Sequence, residues 1–261
     1  MNYVWWLLGL SVLFVLLERA WPRETQPLLR PGIFSDVAYL AFNSEYLGFL
    51  LGVMSRPAVA ALDRWLTATG WHGAFYLGVM TGLPFAAQCI VLVLAFDFAQ
   101  WSIHNLLHRV PLLWRIHRVH HSIETMDWIG NWRFHGLEVL VYRALLYPMA
   151  ALFGFSGEAM FVYGVFSTFM GHLTHANLRV PLGPLKYVLN GPDMHAWHHA
   201  HPEAGPENCN FGIALSVWDW MFGMAFLPEG ERPRRLGFAG VERFPRNFVT
   251  QAAAPLIGNT R

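Results

Sequence analysis

Charged residues are scarce in this chain. They make up 13% of its 261 residues, about half the share found in an average soluble domain, whereas hydrophobic residues make up 54%. The formal net charge is only +1, so the strongly basic surface that nucleic-acid binding requires is not indicated. This balance is typical of an integral membrane protein.

Cysteine is nearly absent as well. The two cysteines, Cys89 and Cys209, lie far apart and form no CxxC motif. Neither a disulfide framework nor a cysteine-bound structural zinc site is therefore indicated. No polar or low-complexity linker and no repeat of fixed period divides the chain, so we predict a single domain over residues 1–261.

Long apolar runs, in contrast, are abundant. Residues 3–17 are apolar without a break. A cleaved signal peptide would need a basic start and a small-residue cleavage site, and both are lacking, so we expect a retained membrane helix. Residues 34–54 predict a second helix. Residues 76–100 predict a third, kinked at Pro84.

The last two apolar runs are shorter. Residues 139–154 and 158–171 fall below the roughly 20 residues of a full span, and the first contains Arg143 and Pro148. They predict a hairpin that either crosses the bilayer with tilt or only enters it. The expected fold is all-α and integral to the membrane. It has about four apolar helices, with two helices or hairpins on each side of the first histidine clusters, and a histidine-rich helical cap.

Histidines are concentrated in clusters with helical spacing. Five of the 13 histidines lie between His104 and His121. Offsets of i, i+3 and i+4 place side chains on one face of an α-helix, and neutral imidazole is the commonest nitrogen ligand of transition metals. The spacing predicts metal binding by three clusters: His104 and His108; His117, His120 and His121; His195, His198 and His199.

The number and spacing of these histidines narrow the kind of site. Eight histidines exceed the four ligands of a closed zinc site, so two metal ions are the natural number. A metalloprotease is excluded because HNLLH lacks the glutamate of HExxH. Bis-histidine haem binding gives no reason for HxxHH clusters, and the carboxylates of a ferritin-like bundle are missing. Asp97, two helical turns before His104, either orients a histidine or sits at the membrane exit; the sequence leaves both open.

The clusters also constrain the topology. A hairpin over residues 139–171 returns the chain to the side it left, so the clusters before and after it can meet. The opposite side carries mainly Arg56 and Arg64, and the positive-inside rule therefore makes the histidine side cytoplasmic. The basic residues expected on the histidine side are Arg19, Arg23, Arg30, Arg109, Arg115, Arg118, Arg133, Arg179, Lys186, Arg232, Arg234 and Arg235.

The order HxxxH, HxxHH, HxxHH on a multi-span chain resembles the fatty acid hydroxylase superfamily, and within it the sterol desaturase-like proteins. The likeness extends over residues 97–227 through the blocks LLWRIHRVHHS, RFHGLE, HANLRVP, HAWHHAHPE and NFGIALSVWDWMFG. It implies a membrane oxygenase with a histidine-held di-iron centre. Such an enzyme hydroxylates or desaturates a lipid C–H bond with O2 and two electrons. Zinc can occupy the same histidines when iron is lacking.

The resemblance also implies a ligand set and no catalytic residue beyond it. His135, in a block with Gly136 where the family usually has proline, is expected to support a ligand or line the pocket. The roles of His172 and His201 stay open. Structural roles are expected for Asn210 and Asp219. The implied ligands are His104, His108, His117, His120, His121, His175, His195, His198 and His199.

The partners follow from the same resemblance. No haem-binding or flavin motif is present, so electrons would come from a separate donor of the cytochrome b5, ferredoxin or reductase type. A lipid substrate would enter from the bilayer; a sterol, sphingoid base, carotenoid, alkylglycerol ether and acyl chain all remain open. The alternative from another class is a membrane metal-binding or metal-transport protein without oxygenase activity. Oxygen-dependent lipid product discriminates between the two.

Overall fold

The structure, a computed structural model, describes residues 2–71 and 76–257. This part of the chain contains no β-strand, which confirms the predicted all-α fold. The α-helices are α1 Tyr3–Ala20, α2 Ile33–Ala41, α3 Leu47–Ala68, α4 Phe85–Arg109, α5 Pro111–His117, α6 Gly136–Phe153, α7 Gly157–His175, α8 Pro192–His198, α9 Val217–Met221 and α10 Phe248–Ile257.

Three of these helices, α1, α4 and α6, are long and apolar enough to cross a membrane. The second helix is predicted over residues 34–54, but the helical segment in the structure extends beyond that apolar run. It consists of α2 and α3 joined by a π-helical turn at Phe42–Tyr46. α7 has 19 residues and packs against α1 and α4. α1, α4 and α6 are hereafter the membrane helices.

The third predicted helix, over residues 76–100, is displaced along the chain. α4 begins at Phe85 because Pro84 occupies the N-cap position with extended backbone, φ −55° and ψ 146°. Proline fits the start of a helix, where no N–H is needed. The predicted kink is therefore wrong. Residues 76–84 instead turn back and donate backbone hydrogen bonds to the end of α6.

The predicted hairpin corresponds to α6 and α7. Gly154, with φ of 77°, ends α6, and the Ser156 hydroxyl caps α7 by accepting the N–H of Ala159. Both helices extend beyond the apolar runs, because a run ends at the first polar side chain whereas the helix continues through Glu138 and His172. The longer helices carry polar residues towards one end of the bundle.

That end, hereafter the histidine end, is where α1, α4 and α7 finish and α2 and α6 begin. Glu18 near the end of α1 accepts the backbone N–H groups of Trp128 and Asn177 at 2.9 and 2.8 Å. The short helices α5, α8, α9 and α10 lie beyond the membrane helices at this end. The opposite end, where α3 and α6 finish, is hereafter the far end.

A buried ion cluster fixes the histidine end. Arg30 pairs with Asp127 and with Asp36, and Arg133 also pairs with Asp36. No side chain of the four is more than 12% exposed. Arg133 further donates to the carbonyl of Ser122 at 3.0 Å. Because an unpaired buried charge is strongly destabilising, the cluster holds the start of α2 against the segment that follows the second histidine cluster.

Candidate metal centre

All nine histidines expected as ligands come together at the histidine end, in two adjoining groups. Within each group the candidate ligand atoms lie within 4.8 Å of one another. The five-histidine group comprises His104, His108, His117, His121 and His198. The four-histidine group comprises His120, His175, His195 and His199.

The nitrogen–nitrogen distances match the edges of a metal coordination shell. The Nε2 atoms of His104 and His117 are 3.1 Å apart. The Nε2 atom of His195 lies 3.1 Å from that of His175 and 3.2 Å from that of His199. Two ligands each about 2.1 Å from one ion lie about 3.0 Å apart at a right angle and about 3.4 Å apart in a tetrahedron. The residues present therefore fit two metal ions.

The histidines of one sequence cluster do not all join the same group. α5 ends at His117, and a 3-10 turn, not an α-helix, carries His120. His117 joins the five-histidine group, whereas His120 joins the four-histidine group. On α8, likewise, His195 and His198 point to different groups. Positions i+3 and i+4 differ by about 100° around a helix, so only the i, i+4 pairs stay together.

The outer ring nitrogens of His104 and His198 are held by backbone carbonyls. His104 Nδ1 lies 2.8 Å from the carbonyl of Phe211, and His198 Nδ1 lies 2.8 Å from the carbonyl of Cys209. Such contacts place the proton on Nδ1 and leave the Nε2 lone pair pointing inwards. His108 Nε2 is buried and has no hydrogen-bond partner among the described residues, as expected of a nitrogen that faces an ion.

Burial keeps the imidazoles beyond the membrane helices uncharged. A neutral ring offers the lone pair that a metal needs, whereas a protonated ring repels the ion. The pKa is held well below its usual 6.5, first by burial and then by neighbouring imidazoles, for His117, His120, His121, His195, His198 and His199.

Sequence reasoning misses one residue of the centre, Glu138. Its Oε1 lies 2.8 Å from His117 Nδ1, and the carboxylate is fully buried. A carboxylate in this position orients the imidazole and makes it a stronger ligand. The signal in the sequence is the final letter of RFHGLE, which places an acid in the first turn of α6.

Two other carboxylates, Asp97 and Asp219, hold the loop over residues 209–216. They accept four of its backbone N–H groups at 2.8 to 3.2 Å. The same loop supplies the carbonyls that bond His104 and His198. Of the two roles left open for Asp97, direct contact with a histidine is not found in the described part of the chain; its carboxylate bonds Ala214, Leu215 and Trp218 instead. Asp219, like Asn210, has the structural role expected of it.

The remaining histidines described lie outside both groups. His135 caps α6 through Nδ1 and lies 2.9 Å from the Ala252 carbonyl through Nε2. His172 packs between the rings of Phe14 and Trp128, with centroids 5.4 and 4.9 Å away. His201 accepts the N–H of Glu203. None of the three contributes to the two groups.

A cavity of about 330 Å³ leads from the membrane helices to the centre. Its walls are largely apolar and include Phe96, Leu146 and Met160. Tyr147, which is 55% exposed, lies at its rim. The cavity also contacts both histidine groups, through His104, His117, His120, His175 and His195.

A second cavity, of about 230 Å³, reaches the centre from the cap. It is lined by three members of the five-histidine group, His108, His121 and His198, together with Trp114 and Phe238. The Trp114 ring lies 5.0 Å from that of His108. The centre is thus reached from two directions, one between the membrane helices and one through the cap.

Comparisons with known proteins agree with this arrangement. A family model described as Fatty acid hydroxylase matches residues 89–224. The ornithine lipid hydroxylase OlsE of Rhizobium tropici is 29% identical over 251 residues, which are 95% of this chain and 73% of that protein. The alkylglycerol monooxygenase of Xenopus tropicalis is 30% identical over 221 residues, which are 82% of this chain and 44% of that protein. The very-long-chain aldehyde decarbonylase GL1-10 of Oryza sativa subsp. japonica is 27% identical over 155 residues, 56% of this chain and 51% of that protein. No solved structure matches the chain.

The chain belongs to the fatty acid hydroxylase family. The match spans more than half of its residues and includes every candidate ligand, which confirms the family predicted from the histidine blocks. The predicted enzyme class, an oxygen-dependent lipid hydroxylase, is confirmed with it. The chain spans less than half the length of the alkylglycerol monooxygenases that it matches.

Proposed function

We propose that this protein is a membrane di-iron oxygenase that hydroxylates or desaturates a C–H bond of a membrane lipid. One observation carries the proposal: two adjoining all-histidine groups border an apolar cavity among membrane helices. The whole chain, residues 1–261, is assigned to this function as one domain, with the catalytic region over residues 97–227.

We assign one iron ion to the five-histidine group and a second to the four-histidine group, so the nine imidazoles are the proposed ligands. Imidazole binds iron and zinc alike, and zinc is therefore the expected substitute. When bound, the iron pair supplies the activation of O2 that removal of hydrogen from an unactivated carbon requires. The other requirements of the reaction, which are ligand positioning, lipid binding and exclusion of water, are met by the protein groups around the site.

The protein positions the ligands and keeps the site dry. Glu138 fixes His117 by accepting the Nδ1–H, and the loop over residues 209–216 fixes His104 and His198. The apolar cavity wall holds the lipid and excludes water. In hydroxylation, one oxygen atom enters the lipid as an alcohol and the other leaves as water, with two electrons and two protons consumed. In desaturation the lipid loses two hydrogen atoms, and both oxygen atoms leave as water.

The relatives indicate the substrate class. Two of them are named for ornithine lipid and alkylglycerol, and a third for a very-long-chain aldehyde; the cavity here opens among membrane helices. We therefore propose that a membrane lipid enters sideways from the bilayer. The electrons would come from a separate carrier of the cytochrome b5, ferredoxin or reductase type, and the histidine end would face the cytoplasm.

The test is metal content combined with product formation. The full chain, purified from membranes and loaded with iron, should contain close to two iron atoms, one for each histidine group. With reductant and ¹⁸O2 it should add label to an alcohol of an extracted lipid, or oxidise the lipid to an alkene. His120→Ala should abolish that product, because His120 belongs to the four-histidine group.

His201→Ala is the matched control, because His201 is also buried but lies outside both groups. It should retain both iron and product. If the iron-loaded chain oxidises no lipid but moves metal ions across vesicle membranes, the alternative of a metal transporter replaces the oxygenase.

A further inference from the structure

The cavity of about 230 Å³ at the histidine end, hereafter the cap cavity, is lined by residues that range from exposed to buried. Three of them, Glu207, Asn208 and Ala239, are exposed at the surface and form its mouth. Two others, His121 and His198, are buried and belong to the five-histidine group. The cap cavity therefore extends from the surface of the cap to candidate ligands of one metal ion.

Contacts with the histidine clusters hold the walls of the cap cavity in place. Gly237 donates its backbone N–H to the carbonyl of His199 at 2.9 Å, which fixes the segment that carries Phe238. The Trp114 ring, in another part of the wall, packs against the His121 ring with centroids 5.2 Å apart. Because the walls are fixed to the ligand-bearing segments, the cap cavity is a built part of the folded cap.

The residues along the cap cavity offer an entering ion first a carboxylate and then imidazoles. Glu207 lies at the exposed mouth, where its negative charge attracts a hydrated divalent cation. At the buried end, the Nε2 atoms of His121 and His198 lie 3.1 Å apart, close enough to bind one ion together. The 330 Å³ cavity among the membrane helices has largely apolar walls instead, and a divalent ion is costly to transfer into such surroundings.

We infer that Fe²⁺ enters and leaves the five-histidine group through the cap cavity, with Glu207 attracting the ion at the mouth; the inference rests on the metal assignment of the proposed function. Lipid and metal ion then reach the centre from different directions, the lipid between the membrane helices and the ion through the cap. Ala239 lines the cap cavity and is not a candidate ligand. A bulky side chain there narrows the route and leaves the ligand set unchanged.

The rates of iron uptake and release test this without turnover. The metal-free full chain in neutral detergent is mixed with radiolabelled Fe²⁺ in the absence of O2. Portions are quenched with excess chelator at intervals and desalted, and the iron that stays with the protein is counted. Release is followed in the same way after the loaded chain is diluted into chelator.

Ala239→Trp should slow both uptake and release of at least one of the two iron ions by the same factor, about tenfold. A narrowed route raises the same barrier in both directions, so the affinity for iron should stay as in wild type. Glu207→Gln should slow uptake about two- to fivefold at low ionic strength and match wild type at high salt, because the charge at the mouth is exposed and therefore screened.

Ala20→Trp and Glu229→Gln are the matched controls, because both residues are exposed and lie outside the lining of the cap cavity. Both should take up and release iron as wild type does. Wild-type rates in Ala239→Trp would overturn the inference. So would slower uptake with unchanged release, since the site and not the route would then be altered. A wild-type chain that binds no iron at equilibrium overturns the proposed function together with the inference.

Discussion

Among single residues, the most informative contact is that between Glu138 and His117. The carboxylate and the imidazole are both buried, with Oε1 2.8 Å from Nδ1. His104 and His198 have the same kind of outer contact, but with backbone carbonyls. Of these three acceptors only Glu138 is a side chain, so it is the one that a substitution can remove.

We predict that Glu138→Ala lowers the iron affinity of the five-histidine group about 10- to 100-fold, because His117 loses the acceptor that orients it. Glu138→Gln should recover part of the loss, since the amide oxygen still accepts the Nδ1–H. Iron content after dialysis against a graded series of chelator concentrations measures the effect.

Glu158→Ala serves as the control, because Glu158 is exposed at the far end, in the first turn of α7. It should bind iron as wild type does. Equal iron content in Glu138→Ala and wild type across the chelator series would contradict the proposed role of Glu138.

Among the helices, α6 depends on a histidine for its start. His135 Nδ1 accepts the N–H of Leu137, and Nε2 lies 2.9 Å from the Ala252 carbonyl of α10. The cap requires an unprotonated Nδ1. Burial lowers the pKa of His135 below its usual 6.5. Between the lowered pKa and pH 6.5, His135 is therefore mostly unprotonated in the folded protein and mostly protonated in the unfolded chain. This contribution to stability is fully present above pH 6.5 and is lost as the pH falls towards the lowered pKa.

We predict that acid destabilises the metal-free wild type more than a variant with a cap that does not titrate. His135→Asn keeps an N-cap acceptor and should show a smaller fall in unfolding free energy between pH 7.5 and pH 5. His135→Ala should cost about 1 kcal/mol even at pH 7.5, where the cap is intact in wild type. Unfolding in sodium dodecyl sulfate, followed by circular dichroism, gives these free energies. The idea fails if His135→Asn and wild type lose equal stability over this range.

On the scale of the whole molecule, all nine candidate metal ligands lie at one end of the membrane helices. α4 and α7 both deliver their last residues to the histidine end, and α8 follows α7 there. The hairpin of α6 and α7 makes this meeting possible, because it returns the chain to the end where α4 finished. Buried ion pairs then hold the start of α2 against the segment after the second histidine cluster at that end; they join Arg30, Asp36, Asp127 and Arg133.

The orientation in the membrane can be tested with introduced cysteines. Thr69→Cys lies just beyond α3 at the far end, and Glu203→Cys lies at the histidine end where the side chain is 73% exposed. If the histidine end is cytoplasmic, a maleimide that cannot cross membranes should label Thr69→Cys in intact bacterial cells and Glu203→Cys only after lysis.

The unmodified chain supplies the background, because Cys209 is buried and Cys89 is partly buried. Labelling of Glu203→Cys but not Thr69→Cys in intact cells would reverse the proposed orientation.

Much of the centre could be predicted from local spacing. A histidine four residues from another shares its helical face whatever the rest of the chain does, and the pairs His104/His108 and His195/His199 do share a group. The i+3 members could not be assigned in this way, since the group that they join depends on where the neighbouring helices lie. Glu138 was equally out of reach, because its contact with His117 forms only when α6 packs beside α5.

The sequence alone determined the membrane class, the all-helical fold, the family and the identities of the nine histidines brought together here, because composition and helical periodicity are local properties. Only the tertiary structure decided how the nine divide into groups of five and four, that Glu138 contacts His117, and that Arg143 lines the same cavity as His117. These features join residues far apart in the chain, and they arise when the hairpin of α6 and α7 brings both halves to one end.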